Sequence, residues 1–218
     1  MILLRRLLSG RYVALLGWCK VLCLVLVAGA AHAAPLKVVA IGDSLTHGYG
    51  LPPGEGFVPQ LEAWLQAEGR DVVVVNMGVS GDTTEGGRAR TEWALADGAD
   101  AVIVWLGGND LLRGIDPARS EANLAAMAET VGGKDLPLLI IAMQAPLNYG
   151  QAWKDAFDSV YASVAGPAGA LLLENAFDGL VGTGLMQPDG IHPNREGVAQ
   201  IVESVGPKAL ELLDRVAE

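Results

Sequence analysis

One α/β domain, built on a five-stranded parallel sheet with helices on both faces, is the fold the sequence predicts. Three observations carry that expectation. Five short apolar runs recur along the chain, at 36–41, 72–75, 101–106, 138–142 and 170–173. None alternates apolar with polar residues, and continuous Val/Ile/Leu runs are expected of strands buried on both faces, as in a parallel sheet. Helical patterns separate these runs, so strand and helix alternate throughout. The glycine-rich polar connections 42–56, 76–84, 107–116, 144–150 and 183–193 nearly all follow strand ends, where open α/β sheets gather their chemistry.

The helices read as follows. Phe57, Val58, Leu61, Trp64 and Leu65 share one helical face, and Gly69 follows as a stop. Asp82 with Glu85 three residues later suggests a capping box for a second helix, weakened by Gly86 and Gly87. Asp116-Pro117 supplies an N-cap and a proline at the first helical position; Leu124, Met127 and Val131 continue that stripe to Gly132-Gly133. Trp153, Phe157, Val160, Tyr161 and Val164 make the clearest stripe, expected to close at Gly166-Pro167. Asn194 caps the last helix, with Val198, Ile201, Val202 and Val205 inward and Pro207 expected to kink or divide it.

The chain has 218 residues, enough for one sizeable core and short for two domains. Its first 33 residues read as a signal peptide: Arg5, Arg6, Arg11 and Lys20, then an uncharged apolar run from 21 to 31, then Ala31-His32-Ala33 with small residues at the -3 and -1 positions. The apolar run is well short of the ~20 residues that span a bilayer. Cleavage after Ala33 leaves one domain, 34–218, with no membrane span, in the periplasm or secreted. Four cations and no acids leave with the leader, so 11 basic residues face 25 acidic ones in the remainder, a net charge of -14. A chain so acidic has no basic stripe for phosphates and excludes a nucleic-acid partner. Cys19 and Cys23 both lie in the leader, so the fold has no disulfide to lean on. A monomer is the expectation.

The first apolar run ends in Gly42-Asp43-Ser44-Leu45, which brings a serine to the carboxyl edge of the sheet. By itself Gly-Asp-Ser fits a helix cap or a phosphate loop as well as a nucleophile. The Gly-x-Ser-x-Gly elbow is absent, so an ordinary α/β-hydrolase is excluded. A serine nucleophile needs a base, most often histidine, and only His47 and His192 remain after the leader. His47 lies one helical turn beyond Ser44, and its ring would point along the helix. His192 sits in Asp189-Gly190-Ile191-His192-Pro193, where the carboxylate three residues back can reach the ring across a turn and Pro193 holds the backbone extended. A carboxylate that orients an imidazole is what a serine mechanism requires. Two histidines without a cysteine argue against a zinc site, and no metal or organic cofactor is expected. For a developing oxyanion, Gly81 in Ser80-Gly81-Asp82 offers a backbone N–H at a helix start, and Asn109 in Gly107-Gly108-Asn109-Asp110 offers a side-chain amide.

Gly-Asp-Ser-Leu, Gly81 in Ser-Gly-Asp-Thr, Gly-Gly-Asn-Asp and Asp-Gly-Ile-His-Pro stand in this order, each beside a predicted strand end. The set resembles the SGNH (GDSL) hydrolase family, and within it the secreted thioesterase I/arylesterase/lysophospholipase subgroup, over essentially all of 34–218. The resemblance implies a three-layer α/β/α flavodoxin-like sandwich with strand order 2-1-3-4-5. It implies Ser44 as nucleophile, Asp189 and His192 as the rest of the triad, and an oxyanion hole of Ser44 N–H, Gly81 N–H and the Asn109 amide. Met77-Gly78-Val79 departs from the Ala-Ser-Ile of close relatives, and the segment before Asn148-Tyr149 is shorter, which bears on acyl-chain preference.

The reading is an exported serine ester hydrolase whose partner is a small acyl ester, thioester or lysolipid, with Leu111, Leu112, Ile115, Pro146, Leu147, Tyr149 and Met186 as candidate walls of an acyl pocket. Two alternatives stand beside it. One is a carbohydrate O-deacetylase on the same scaffold, which would want exposed aromatics for sugar; Trp64, Trp105 and Trp153 are expected in the core. The other is a non-catalytic phosphate-binding module of flavodoxin type, which has no use for His192 paired with Asp189.

Overall fold

The computed structural model describes residues 34–180 and 182–216. The leader, and with it the cleavage site, lies outside the described residues. Five strands, β1 (Leu36–Gly42), β2 (Val72–Gly78), β3 (Ala101–Trp105), β4 (Leu138–Ile141) and β5 (Leu171–Leu173), form one sheet of order β2-β1-β3-β4-β5. Every pairing is parallel. The helices are α1 (Ser44–His47), α2 (Phe57–Ala67), α3 (Thr84–Ala94), α4 (Gly108–Leu112), α5 (Pro117–Gly132), α6 (Gln151–Ala168) and α7 (Arg195–Asp214), with a 3-10 turn at Leu147–Tyr149.

The central strands show why their sequences are apolar without alternation. Val38 and Ala40 point into a core shared with Phe57, Leu61 and Leu65 of α2 and Val198, Ile201 and Val205 of α7. Val39 and Ile41 point the other way, into a core built with Leu124, Met127 and Val131 of α5 and Phe157, Val160 and Val164 of α6. Two apolar layers demand two apolar faces. The edge strand β2 departs from this: Val72 and Val74 are buried, but Val73 is 41% exposed. Its unbroken valine run predicts burial on both faces, but at this sheet edge the second face is covered only in part: Val75 and Met77 pack against the second core while Val73 stays open.

Three local expectations are corrected by packing. The cap of α3 is Thr83, whose hydroxyl accepts from Gly86 N, while Asp82 pairs with Arg90. Helix α6 continues through Pro167 and closes at Gly169, a left-handed residue at φ +62. Helix α7 runs undivided through Pro207. A proline costs one backbone bond, and here Ile201, Val202, Val205, Ala209 and Leu212, all buried, hold the helix on both sides of it.

The ends of β1 and β2 carry the site. Their register closes on the pair Gly42–Gly78, and α1 turns directly over it. A Cβ on Gly42 would collide with Thr46 and lie 2.8 Å from Trp105 O; one on Gly78 would collide with the backbone of His47. Gly78→Ala is therefore expected to destabilise the fold by ~3 kcal/mol, as overpacking against backbone does. Urea unfolding checks this, and an unchanged midpoint would show that α1 is not seated on Gly78.

Candidate active site

Asp43 leaves β1 and becomes the N-cap of α1, its carboxylate accepting from Leu45 N at 3.0 Å. Capping by Asp43 releases the hydroxyl of Ser44 from that duty. Ser44 is the first residue of the helix, and Gly48 (φ +87) closes the turn by donating its N–H to Ser44 O. The Ser44 hydroxyl meets His192 Nε2 at 2.8 Å, and His192 Nδ1 meets Asp189 Oδ2 at 2.7 Å. For the hydroxyl to donate to Nε2, the ring proton must sit on Nδ1, from where it donates a hydrogen bond to the carboxylate.

Asp189 is held by more than the ring. Its Oδ1 accepts from Ile191 N at 2.9 Å and His192 N at 3.0 Å. These N–H groups and the imidazole hold the carboxyl down at about 2, the His192 N–H contributing most. The loop is anchored in turn by Gln187, whose N–H donates to His192 O at 2.7 Å and whose side chain donates to Tyr49 O at 2.8 Å and Pro193 O at 2.9 Å.

Asn109 arrives from the third strand. Gly107 has φ +115, and a Cβ there would collide with the Tyr161 hydroxyl, which donates to Leu106 O at 3.1 Å. Asp110, fully buried, accepts from Thr84 N, Thr84 Oγ1 and Ser120 Oγ at 2.9, 2.6 and 2.9 Å, pinning α4 to α3 and α5. Asn109 Nδ2 donates to Asp43 Oδ2 at 3.3 Å, which ties its amide plane to the strand that leads into Ser44. Gly81 (φ +88) belongs to the turn after β2, ahead of the Thr83 cap, and is not at the helix start the sequence suggested. Its carbonyl accepts from Arg113 Nη2 at 2.9 Å.

These groups border one cleft of about 650 Å³ in which Ser44, Gly81, Asn109 and His192 all take part, with Leu111, Leu112, Pro146 and Met186 among its walls. Ile115, Leu147 and Tyr149 lie outside it. The Leu147–Tyr149 turn carries its residues away: Leu147 is 62% exposed, and Tyr149 packs on Trp153 with ring centres 4.7 Å apart. Ile115 is held behind Asp110 by its N–H to Asp110 O. Walls that sequence reasoning missed are Tyr49, Met143, Phe177 and Ile191. Met143 and Phe177 follow the ends of β4 and β5, so their place at the carboxyl edge was a usable signal. His47 points away, with Nδ1 3.2 Å from Gly78 O. No tryptophan borders the cleft. Among the described residues no three His, Cys, Asp or Glu side chains gather as a metal site, and no helix is long and apolar enough to cross a membrane.

A parallel sheet that sets a serine hydroxyl, an imidazole and a carboxylate in one hydrogen-bonded line at its carboxyl edge has the arrangement of a serine hydrolase on a flavodoxin-like scaffold. Comparison with known proteins agrees. The model of the GDSL-like lipase/acylhydrolase family matches residues 40–200. Esterase TesA of Pseudomonas aeruginosa is 39% identical over 193 residues, 88% of this chain and 96% of its own. The thioesterase 1/protease 1/lysophospholipase L1 of Escherichia coli K12 is 34% identical over 177 residues, 80% and 83% of the two chains. Among solved structures, AlinE4, an SGNH-hydrolase family esterase, superimposes with a TM-score of 0.71 at 35% identity, covering 84% of this chain and 99% of that one. The chain belongs to the GDSL-like lipase/acylhydrolase family and is a carboxylic ester hydrolase.

Asp43 gives the site a pH dependence. Burial pushes its carboxyl from 3.8 up to about 6, against the opposing pull of Leu45 N–H and the Asn109 amide. A carboxyl raised on folding stabilises the native state fully below pH ~4, and that contribution is lost as pH rises through about 6. Asp43→Asn removes this loss, so its melting temperature relative to wild type should climb between pH 4 and 7. The same variant should lose activity, because one amide oxygen cannot accept from both Leu45 and Asn109. The ratio of wild-type to variant rate should shrink as pH falls through about 6. A flat ratio across that range would show that the ionised Asp43 does not orient Asn109.

Proposed function

We propose that this is an exported hydrolase of acyl esters acting through an acyl-enzyme on Ser44. The observation that carries the reading is the line Ser44 Oγ–His192 Nε2–Asp189 at 2.8 and 2.7 Å, opening into an apolar cleft with Asn109 and Gly81 on its wall. His192 Nε2 takes the hydroxyl proton as Ser44 attacks the acyl carbon. Asp189 holds the ring in the required tautomer and stabilises the imidazolium. The carbonyl oxygen, becoming an oxyanion, is met by Ser44 N–H, Gly81 N–H and the Asn109 amide. The tetrahedral intermediate collapses, the alcohol or thiol leaves with the proton from His192, and water deacylates the serine with His192 again as base.

A cleft of about 650 Å³ lined by Leu111, Met143, Pro146, Phe177 and Met186 suits an acyl chain better than a sugar. Medium-chain esters fit that shape, as do thioesters and lysophospholipids, the substrates in the name of the Escherichia coli relative. Among the described residues no tryptophan lines the cleft, and its exposed aromatic, Tyr49, packs on the His192 ring with centres 4.7 Å apart, which leaves O-deacetylation of a carbohydrate little surface for stacking. Ser44→Ala and His192→Ala are each expected to abolish most turnover, and Asn109→Ala to lower kcat roughly 100–1,000-fold. Hydrolysis of p-nitrophenyl esters from two to sixteen carbons should peak beyond acetyl. Activity on acetyl alone would favour the deacetylase, and a Ser44→Ala enzyme with wild-type turnover would end the nucleophile assignment.

The basic, then apolar, then Ala31-His32-Ala33 leader supports export by a cleaved signal. Intact mass of the exported protein should correspond to a chain beginning at Ala34. A product retaining residues 1–33 would refute cleavage.

A further inference from the structure

Arg90 stands on α3 with no part in the line of Ser44, His192 and Asp189, yet its guanidinium joins the segments that flank it. Nε donates to Asp82 Oδ2 at 2.7 Å, Nη1 to Met77 O at 2.7 Å and Nη2 to Gly42 O at 2.9 Å. Its side chain is 16% exposed and that of Asp82 18%. Gly42 is the last residue of β1, two before Ser44; Met77 is the penultimate residue of β2; Asp82 directly follows Gly81. Gly42 O also accepts from Val79 N at 3.0 Å, so the 79–83 turn is tied to the same carbonyl from its other end.

We propose that Arg90 is a positioning residue for catalysis, fixing the separation between the Ser44 nucleophile and the Gly81 N–H. This rests on the reading of those two groups as nucleophile and oxyanion donor. A glycine at φ +88 has no side chain to hold its turn in place. The turn is closed by Asp82 N donating to Val79 O at 3.0 Å, and it is held against its surroundings by the Asp82 side chain and by the Arg113 bond to Gly81 O. Only a planar fork with donors in fixed directions reaches a carboxylate and two carbonyls of different strands at once; a lysine ammonium on a flexible stem cannot reproduce that geometry. Beyond the last ladder pair, Gly42–Gly78, Val79 N still donates to Gly42 O, but past it a gap opens as the two segments diverge toward Ser44 and Gly81. Arg90 spans that gap.

The test is Arg90→Lys, which keeps the charge opposite Asp82 and loses the fork. With p-nitrophenyl esters of two and eight carbons, kcat should fall about 10–100-fold, the range for a small misplacement of reacting groups. KM should stay within about threefold, and the loss should be equal for both chain lengths. A fluorophosphonate, whose phosphonyl oxygen needs the same donors, should label Ser44 more slowly by a similar factor, measured well below the melting temperature. A merely structural arginine would lower the melting temperature and leave the labelling rate of folded enzyme unchanged. That result, or a kcat within twofold of wild type, overturns the proposal. Should Arg90→Lys not fold, Asp82→Asn carries the same test, with an expected kcat loss of about 3–10-fold and the same overturning result. Ser44→Ala run alongside separates the two levels: if it keeps wild-type turnover, the reading of the nucleophile falls, whereas an inactive Ser44→Ala beside a fully active Arg90→Lys sinks the positioning role alone.

Discussion

The register of β1 against its two neighbours is the constraint on which the site depends. Gly42 pairs with Gly78 on one side and Trp105 on the other, so three parallel strands end level with one another. Each then leads into a loop that carries one part of the proposed chemistry: Asp43-Ser44, Gly81 and Asn109. A shift of one residue in either pairing would turn the strand's apolar set to the opposite core. Correct placement of the reactive groups is thereby enforced by the burial of Val38 to Ile41 on two faces, a term far larger than any bond within the site.

On this level edge, polar groups are tied to one another rather than left to find substrate unaided. Asp43 caps α1 and steadies Asn109, Asp110 gathers Thr84 and Ser120, and Asp189 takes two N–H groups besides the imidazole. Buried polar networks are costly unless every member is satisfied. Asp43 pays most visibly, its carboxyl held near 6 by burial. Stability is given up at the position that orients the proposed oxyanion donor, Asn109, a trade expected of sites that hold charged groups away from water.

Much of this was legible in the residues. Asp116-Pro117 and Asn194 cap their helices as their types require, because capping is a contest between a side chain and its own next few N–H groups. Asp189 and His192 are three residues apart with a turn between, so their contact is also local. Where the competition was with distant partners, local reading failed. Asp82 has the right spacing to cap α3 but is drawn to Arg90 by charge, leaving the cap to Thr83. Pro207 is expected to kink or divide α7; the helix is not divided, because burial against α2 and the sheet outweighs one lost backbone bond.

The sequence by itself determined the layers, the five strands, and which serine, histidine and carboxylate were available, since these follow from hydrophobic period, turn chemistry and the scarcity of histidine. Only the tertiary structure decided the 2.8 Å meeting of Ser44 with His192 across 148 residues. It alone chose Tyr49 as a cleft wall over Leu147 and Tyr149, and brought Arg90 under both Gly42 and Asp82. Distances of that kind are set by how whole strands and helices stack, and no local pattern encodes where a loop's neighbour from another element will stand.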